Sequence, residues 1–404
     1  MVQSHRRVAI ASRIFDPEPS AASFRLKALA SALAAHGHDT TVLTVRPPRR
    51  LAERSGDEGR PYRVKRFPVL RDRTGYVRGY VQYLSFDVPL LGRILFGPRY
   101  DVIVAEPPPT TGFFVRIAAG LRRTPYVYYA ADIWSDAATQ TGSPGWIIRG
   151  VRGLERFALH GASAVLSVSE GVTRRLAQLD MTAKAKTIGN GIDVSAFGRA
   201  DFSQETPRAG ATFIYAGTSS EWHGAEVFID ALPEVLRSHP DARVLFVGGG
   251  SERETLRAHA AELGVADAVS FEDVRPPSEL GPELRRASAA LASVRPGSGY
   301  DFAFPTKLYS GAACGAPLIY AGTGPAVDFV RTEVDGRPLG EAVEADASAV
   351  AAAMNRSAAA AFDAVRREKV AHWAASHVSL DAVAARAVGI VEAVATRSRR
   401  RRSR

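Results

Sequence analysis

Three short loops in this 404-residue chain carry small residues at spacings that let backbone N–H groups approach an anion. They are Ser20-Ala21-Ala22, Gly217-Thr218-Ser219-Ser220 and Gly248-Gly249-Gly250-Ser251. Each follows an apolar run and precedes a stretch of helical period, so each reads as a strand-to-helix turn within reach of a diphosphate. None matches G-x-G-x-x-G or the Walker A pattern, and a glycine turn also serves structure alone. A fourth segment, Gly297 to Lys307, is more specific. Its glycine loop runs into Phe304-Pro305-Thr306-Lys307, with Pro305 expected at the first helical position and Lys307 in the first turn. A cation there opposes the helix dipole, so it does not serve helix stability. It is expected to meet an anion together with the helix N-terminus.

Other reactive residue types give less. Asp132, just past an apolar strand, is expected either to cap a helix or to present a carboxylate to a cleft. Ser169 lacks the first glycine of a nucleophile elbow and reads as a helix cap. Cys314, the single cysteine, sits among small residues and reads as packing; no disulfide framework or cysteine-rich zinc site is available. His36-Gly37-His38 reads as a glycine-closed helix end rather than a metal pair. No HxxxH and no tight carboxylate cluster indicates a metal or a cofactor.

The elements that must hold these groups alternate between apolar runs and helix-period segments, the pattern of parallel sheets covered by helices. Strands are expected at Val8–Ala11, Thr41–Thr44, Tyr62–Phe67, Val102–Ala105, Tyr126–Tyr129, Ala164–Val168 and Lys186–Ile188. A second series is expected at Thr212–Tyr215, Arg243–Val247, Val269–Phe271, Ala289–Val294 and Pro317–Tyr320. Helices are expected at Ala22–Ala35, Ala225–Ser238, Glu252–Leu263, Ser278–Arg286 and Thr306–Cys314, and two more at Ala359–His377 and Leu380–Thr396. The fold class is α/β, two doubly wound Rossmann-like domains. Residues 1–198 form the first, 199–210 a linker, 211–375 the second, 376–396 a last helix and 397–404 a disordered basic tail.

Composition sets outer bounds. With 46% hydrophobic and 23% charged residues the chain reads as globular, and its length favours two cores. No run of about 20 uncharged apolar residues occurs, which argues against a transmembrane helix. The opening apolar run is too short for a secretory signal, so a cytoplasmic location is expected. The net charge of +10 is uneven: residues 1–200 hold 29 Lys and Arg against 16 Asp and Glu, residues 201–404 only 23 against 26. A basic first half suggests an anionic partner. Basic and aromatic residues are not interleaved as on a nucleic-acid stacking platform, so no nucleic acid is expected. Residues Tyr76 to Phe96 form either an amphipathic surface or a buried helix.

The motifs in their order resemble family-4 retaining glycosyltransferases of the GT-B fold, particularly those that build bacterial surface glycans. Phe15 through Arg25, Gly37 through Thr44, Asp132-Ile133-Trp134, Asn190-Gly191-Ile192-Asp193 through Phe197, Tyr215-Ala216-Gly217, Val247 through Arg253, and Phe304 through Pro317 carry the likeness. It implies a cleft between two domains, with the last helix crossing back onto the first. A nucleotide sugar would be held by the second domain through Gly217, Thr218, His223, Gly249, Gly250, Phe304, Pro305, Thr306, Lys307 and Ser310. The acceptor side would include Ser20, Ala21 and Arg25, with Asp132 and Lys307 catalytic and no essential metal or cofactor.

The chain also departs from that family. Thr218 stands where members carry Arg, His223 where they carry Lys, Ser310 where they carry a ribose-binding Glu, and Phe302 at the earlier carboxylate position. His223 and Lys307 are expected to supply partial positive charge, and Thr218 a hydroxyl. The expected function is transfer of a sugar from a nucleoside-diphosphate sugar to a lipid-linked, cell-surface glycan or secondary-metabolite acceptor. An anionic membrane surface, with the protein peripheral on the inner face, fits the basic half. The alternative is a non-catalytic GT-B binding or partner subunit. A nucleotide-sugar epimerase shares the fold but lacks its His and Glu constellation here.

Overall fold

Apolar runs buried on both faces become the central parallel strands in both halves of the chain, while the edge strands Arg63–Phe67 and Val269–Glu272 are more polar and half-exposed. The computed structural model describes residues 5–53, 56–73, 75–140, 144–180, 184–198, 201–206 and 210–402. It divides into two units, Met1–Asn190 with Leu380–Arg404, and Gly191–Ser379.

In the first unit β1 (Arg7–Ala11), β2 (Asp39–Val45), β3 (Arg63–Phe67), β4 (Val102–Ala105), β5 (Tyr126–Ala130), β6 (Ala164–Ser167) and β7 (Ala185–Thr187) pair in the order 3-2-1-4-5-6-7. All pairs are parallel, and Ala11 at the end of β1 lies level with Leu43 of β2 and Ala105 of β4. The helix Ala21–Ala35 buries Leu26, Leu29, Ala30 and Leu33 against this sheet, and the final helix packs beside it. His36 Nδ1 and His38 Nε2 meet Glu392 Oε1 of that final helix at 3.2 and 2.9 Å. The histidines thus tie two helices together, with Gly37 at φ +80° closing the first as expected.

In the second unit β8 (Thr212–Ala216), β9 (Arg243–Val247), β10 (Val269–Glu272), β11 (Ala289–Val294) and β12 (Leu318–Gly322) pair in the order 10-9-8-11-12. A sixth parallel strand, Gly340–Val343, follows β12 at the edge. Both sheets therefore repeat one doubly wound order, in which the chain reverses its direction of travel between β1 and β4, and between β8 and β11.

Several expectations need correction. The helix expected at Ala225–Ser238 is two, Val227–Asp230 and Leu232–Ser238, because Pro233 lacks the N–H that would continue one ladder. The edge strand Gly340–Val343 and a small hairpin, Glu333–Val334 with Arg337–Pro338, were not anticipated from their short mixed sequence. The expected helix at 359–377 resolves into the end of Ala347–Ala359 and the separate helix Ala364–His377. The last helix, Leu380–Arg402, runs through most of the segment expected to be a disordered tail; residues 403–404 lie outside the described residues.

The second unit begins at Gly191 rather than near 211. Phe197 accounts for this: its ring is buried in that unit's core with Ile214 and Leu280, and its carbonyl accepts from Arg285 Nη1 at 3.1 Å. Within the expected linker, residues 199–200 and 207–209 lie outside the described residues.

Candidate functional site

At the carboxyl ends of β8 and β9 two loops run side by side. Gly217 N–H donates to the Val247 carbonyl at 2.8 Å and Ser219 N–H to the Gly249 carbonyl at 2.9 Å. A Cβ on Gly250 would stand 1.9 Å from the Ser219 carbonyl oxygen, and one on Gly248 2.5 Å from that of Gly217. Both glycines also hold φ +140°, a backbone that side chains disfavour. Their absence of side chains is what lets the loops close up, whereas Gly249 between them faces open space.

Lys307 reaches this pair of loops from the other side of the direction reversal, after β11. Its ammonium donates to the Tyr215 hydroxyl at 2.8 Å and the Thr218 carbonyl at 3.3 Å. It also lies 4.1 Å from the centre of the Tyr215 ring. Among the described residues no carboxylate forms an ion pair with it. Burial pushes its pKa down from 10.5 to about 7. Pro305 is not at the first helical position: Thr306 is the cap, Lys307 opens the helix Lys307–Ala313, and the Pro305 carbonyl accepts from Leu308 N–H. That helix is only seven residues long, so the positive charge here is that of Lys307, carried in full only below about pH 7.

His223 corrects a second expectation. It is buried, its ring stacks on Trp222 at 3.6 Å, and its Nδ1 accepts from Ser220 N–H at 3.1 Å. Burial first, and then the neighbouring Lys307, push its pKa down to about 3. It supplies no positive charge at neutral pH; with Nδ1 accepting, Nε2 carries the proton and is a donor. Trp222 stacks in turn on Tyr300 at 4.9 Å. Thr218 is exposed, Ser310 is half-buried, and Thr306 is exposed at its cap. Phe304, half-buried, packs on Tyr309 at 4.6 Å and Phe329 at 5.1 Å.

In the first unit Arg25, buried on the helix after β1, spans the matching reversal point. Its Nη1 donates to Asn190 Oδ1 at 2.6 Å and its Nη2 to Glu106 Oε1 at 3.3 Å. Glu106 follows β4 directly. Burial raises its carboxyl to about 7, although Arg25 pulls it down. Ser20 caps the Arg25 helix by accepting from Ser23 N–H at 3.0 Å, and Ala21 is the first residue of that helix.

Asp132 does not cap the helix Trp134–Gln140. Glu155, from the helix Gly145–Gly161, takes that role: its two oxygens accept from Trp134 N–H at 2.6 Å and Ser135 N–H at 3.2 Å. Asp132 is exposed, and desolvation by its surroundings raises its carboxyl while Arg25 acts against the rise. Ser169 caps its helix through Val172 N–H, and Cys314 is a buried thiol pushed up to about 12, both as expected. Glu106 and Glu155 were missed by sequence reasoning. Only Glu106 left a signal there, as a charged residue ending the apolar run Val102–Ala105.

Comparison with known proteins agrees with this architecture. Residues 21–191 match the family model of the glycosyl transferase 4-like domain, and residues 210–359 that of glycosyl transferases group 1. A D-inositol 3-phosphate glycosyltransferase of Acidothermus cellulolyticus is 32% identical over 139 residues, covering 32% of this chain and 30% of its own. A glycogen synthase of Mycobacterium tuberculosis is 29% identical over 239 residues, 55% of this chain and 56% of its own. The chain thus spans no more than 56% of the length of these curated relatives. Among solved structures, HepE of Anabaena in complex with UDP superposes at TM-score 0.67 and 17% identity, covering 96% of this chain and 100% of that one. Two glycosyltransferase domains in succession, on two sheets of the same doubly wound order, make this chain a member of the family-4 glycosyltransferases of the GT-B fold.

Proposed function

We propose that the protein is a retaining glycosyltransferase. Its second unit takes a nucleoside-diphosphate sugar, and the sugar passes to a lipid-linked, cell-surface glycan or secondary-metabolite acceptor served by the first unit. Lys307 carries the reading: a half-buried ammonium with no carboxylate partner among the described residues, beside two loops that glycines hold together. Such a cation is held at a cost in desolvation, and an anion that meets it recovers that cost. As the bond from sugar to diphosphate breaks, negative charge grows on the leaving group. Lys307, the neutral His223 Nε2–H donor and the Thr218 hydroxyl are the preorganised groups that meet it. Among the described residues no group of three or more His, Cys, Asp or Glu is placed to hold an ion. The reading therefore gives charge stabilisation to Lys307, and transfer is expected to survive excess EDTA.

The testing experiment is a thermal-shift panel of UDP, GDP, ADP and TDP sugars. A ligand at about 100 times its dissociation constant adds about 2.7 kcal/mol. One base should stabilise the protein and the others should not. The second reading, a GT-B protein without transfer activity, is favoured by the uncharged His223 and by Thr218 and Ser310 at positions that are charged in the family. Stabilisation by a nucleotide sugar without turnover, whatever the acceptor, would select it.

A peripheral membrane location also belongs to the proposal. The helix Tyr80–Phe96 buries Phe86, Leu90 and Ile94 and exposes Tyr80, Val81, Leu84 and Val88, so it is a core helix and an amphipathic surface at once. Among the described residues no helix is long and apolar enough to cross a membrane. Binding to anionic vesicles that weakens with salt is expected, because attraction to surface lipid is screened within about a Debye length.

A further inference from the structure

We propose that the first unit seats the hydrocarbon chain of a single-chain lipid phosphate in a pocket walled by Tyr83, Trp134, Val151 and Leu154, with the phosphate against Arg13 and Arg78. The inference rests on the glycosyltransferase reading and names the acceptor class. The pocket measures about 320 Å³ and opens between the starts of the helices Tyr80–Phe96 and Pro109–Arg122 and the helices Trp134–Gln140 and Gly145–Gly161. That volume falls at the lower end of the roughly 300–1,000 Å³ typical of small-molecule sites. Its wall is apolar apart from Arg78 and Thr110.

A second cavity of about 270 Å³ adjoins it, sharing Arg78, Tyr83 and Trp134 and adding Arg13 and Glu18. The Glu18 carboxylate is already taken by Arg71 in a two-pronged pair, at 2.8 and 2.9 Å. Arg13 gives one N–H to the Val77 carbonyl at 2.8 Å and lies 4.5 Å from the Tyr83 ring centre, with no ion pair among the described residues. Arg78 likewise has none and is exposed. One compartment is therefore apolar and its neighbour is cationic, which is the division within an anionic amphiphile.

The occupant is a chain rather than a compact ring system because the apolar track outruns the pocket. Tyr80, which lines the mouth, is the first of a ridge with Leu84 and Val88, exposed by 57%, 43% and 51%. These positions recur every four residues, so they lie along one helix face. A chain longer than the pocket continues along that ridge.

The test is calorimetric titration of the full chain with dodecyl phosphate below its micellar concentration, with inorganic phosphate and dodecanol as separate arms. Dodecyl phosphate should bind at least about tenfold more tightly than either, since only it uses both compartments. Val151→Trp fills the pocket and should weaken binding about tenfold or more. Tyr80→Ser and Arg78→Gln alter exposed side chains, leave the fold intact, and should each weaken it several-fold. The nucleotide-sugar thermal shift should be the same in all three variants. Equal binding of inorganic phosphate, or dodecyl phosphate binding that Val151→Trp and Tyr80→Ser both leave unchanged, overturns the inference. So does adsorption to phosphatidylglycerol vesicles with no binding of the monomeric lipid. Dodecyl phosphate binding with these losses, in a protein that no nucleotide sugar stabilises, removes the transferase reading and leaves the pocket standing.

Discussion

The Lys307 ammonium stands 2.8 Å from the Tyr215 hydroxyl, bridging β8 to the helix that follows β11 across the point where the sheet reverses direction. Tyr215 is buried and cannot neutralise the charge, because burial raises its own pKa far above the working range. The pair therefore orients the Lys307 nitrogen without Tyr215 taking its proton. Lys307→Ala should weaken nucleotide-sugar binding by roughly 10- to 150-fold, the worth of about 1.5–3 kcal/mol for a charge-assisted hydrogen bond. Titration calorimetry with the stabilising nucleotide sugar reads this directly. A Lys307→Ala protein that binds it as tightly as the parent would show that the anion sits elsewhere.

The pH dependence follows from the same lysine. Its folded pKa of about 7 lies below 10.5, so between those values the unfolded chain holds a proton that the folded chain has released. Stability should therefore rise with pH from about 7 towards 10.5, and Lys307→Met should lose that rise. A bound diphosphate restores the charge. Donor binding near pH 7.5 should then take up protons, seen as a binding enthalpy that differs between Tris and PIPES, and affinity should fall as pH rises. His223 stays neutral down to about pH 3. An affinity change between pH 5 and 7 that His223→Gln abolishes would contradict this assignment.

Gly249 and Gly250 are adjacent, yet their substitution should give opposite results. Alanine at 250 drives a Cβ into the Ser219 carbonyl and separates the loops. It should abolish the nucleotide-sugar thermal shift and lower stability by a few kcal/mol, about the size of a strained backbone position combined with a steric clash. Alanine at 249 meets nothing within 4 Å and should leave stability within about 0.5 kcal/mol of the parent. Equal tolerance at both positions would mean that the loops do not need their close approach.

Much of the frame was legible because buried strands announce themselves. Val8–Ala11 and Val102–Ala105 are unbroken apolar runs, and both lie at the centre of their sheet where both faces are covered. Gly340–Val343 was not legible, since an edge strand needs fewer apolar residues and Glu341 interrupts it. Lys307 was legible as a misplaced charge, its partner Tyr215 was not, for that contact joins residues 92 positions apart. His223 shows the opposite failure: its residue type suggested charge, and only its burial and stacking on Trp222 remove it. The capping of Trp134 by Glu155 was hidden for the same reason as Tyr215, because nothing local marks a carboxylate 21 residues away as a cap.

That cap separates structure from chemistry at Asp132. Because Glu155 accepts from Trp134 and Ser135 N–H, Glu155→Ala removes two helix-end acceptors and should cost about 1–2 kcal/mol. In a first unit of this size that lowers its melting midpoint by several degrees, at about 2–4 °C per kcal/mol. Asp132→Asn removes no cap and should leave the midpoint unchanged. It should also lower the pKa of Glu106, since the Asp132 charge is one of the causes that raise it and Arg25 remains. If the Asp132 carboxylate serves the acceptor, turnover should fall by about 100-fold or more, the range of general acid–base groups, with nucleotide-sugar affinity intact. The comparison rests on kcat against donor affinity. A protein with Asn at 132 that keeps its turnover would show that the Asp132 carboxylate does not serve the acceptor.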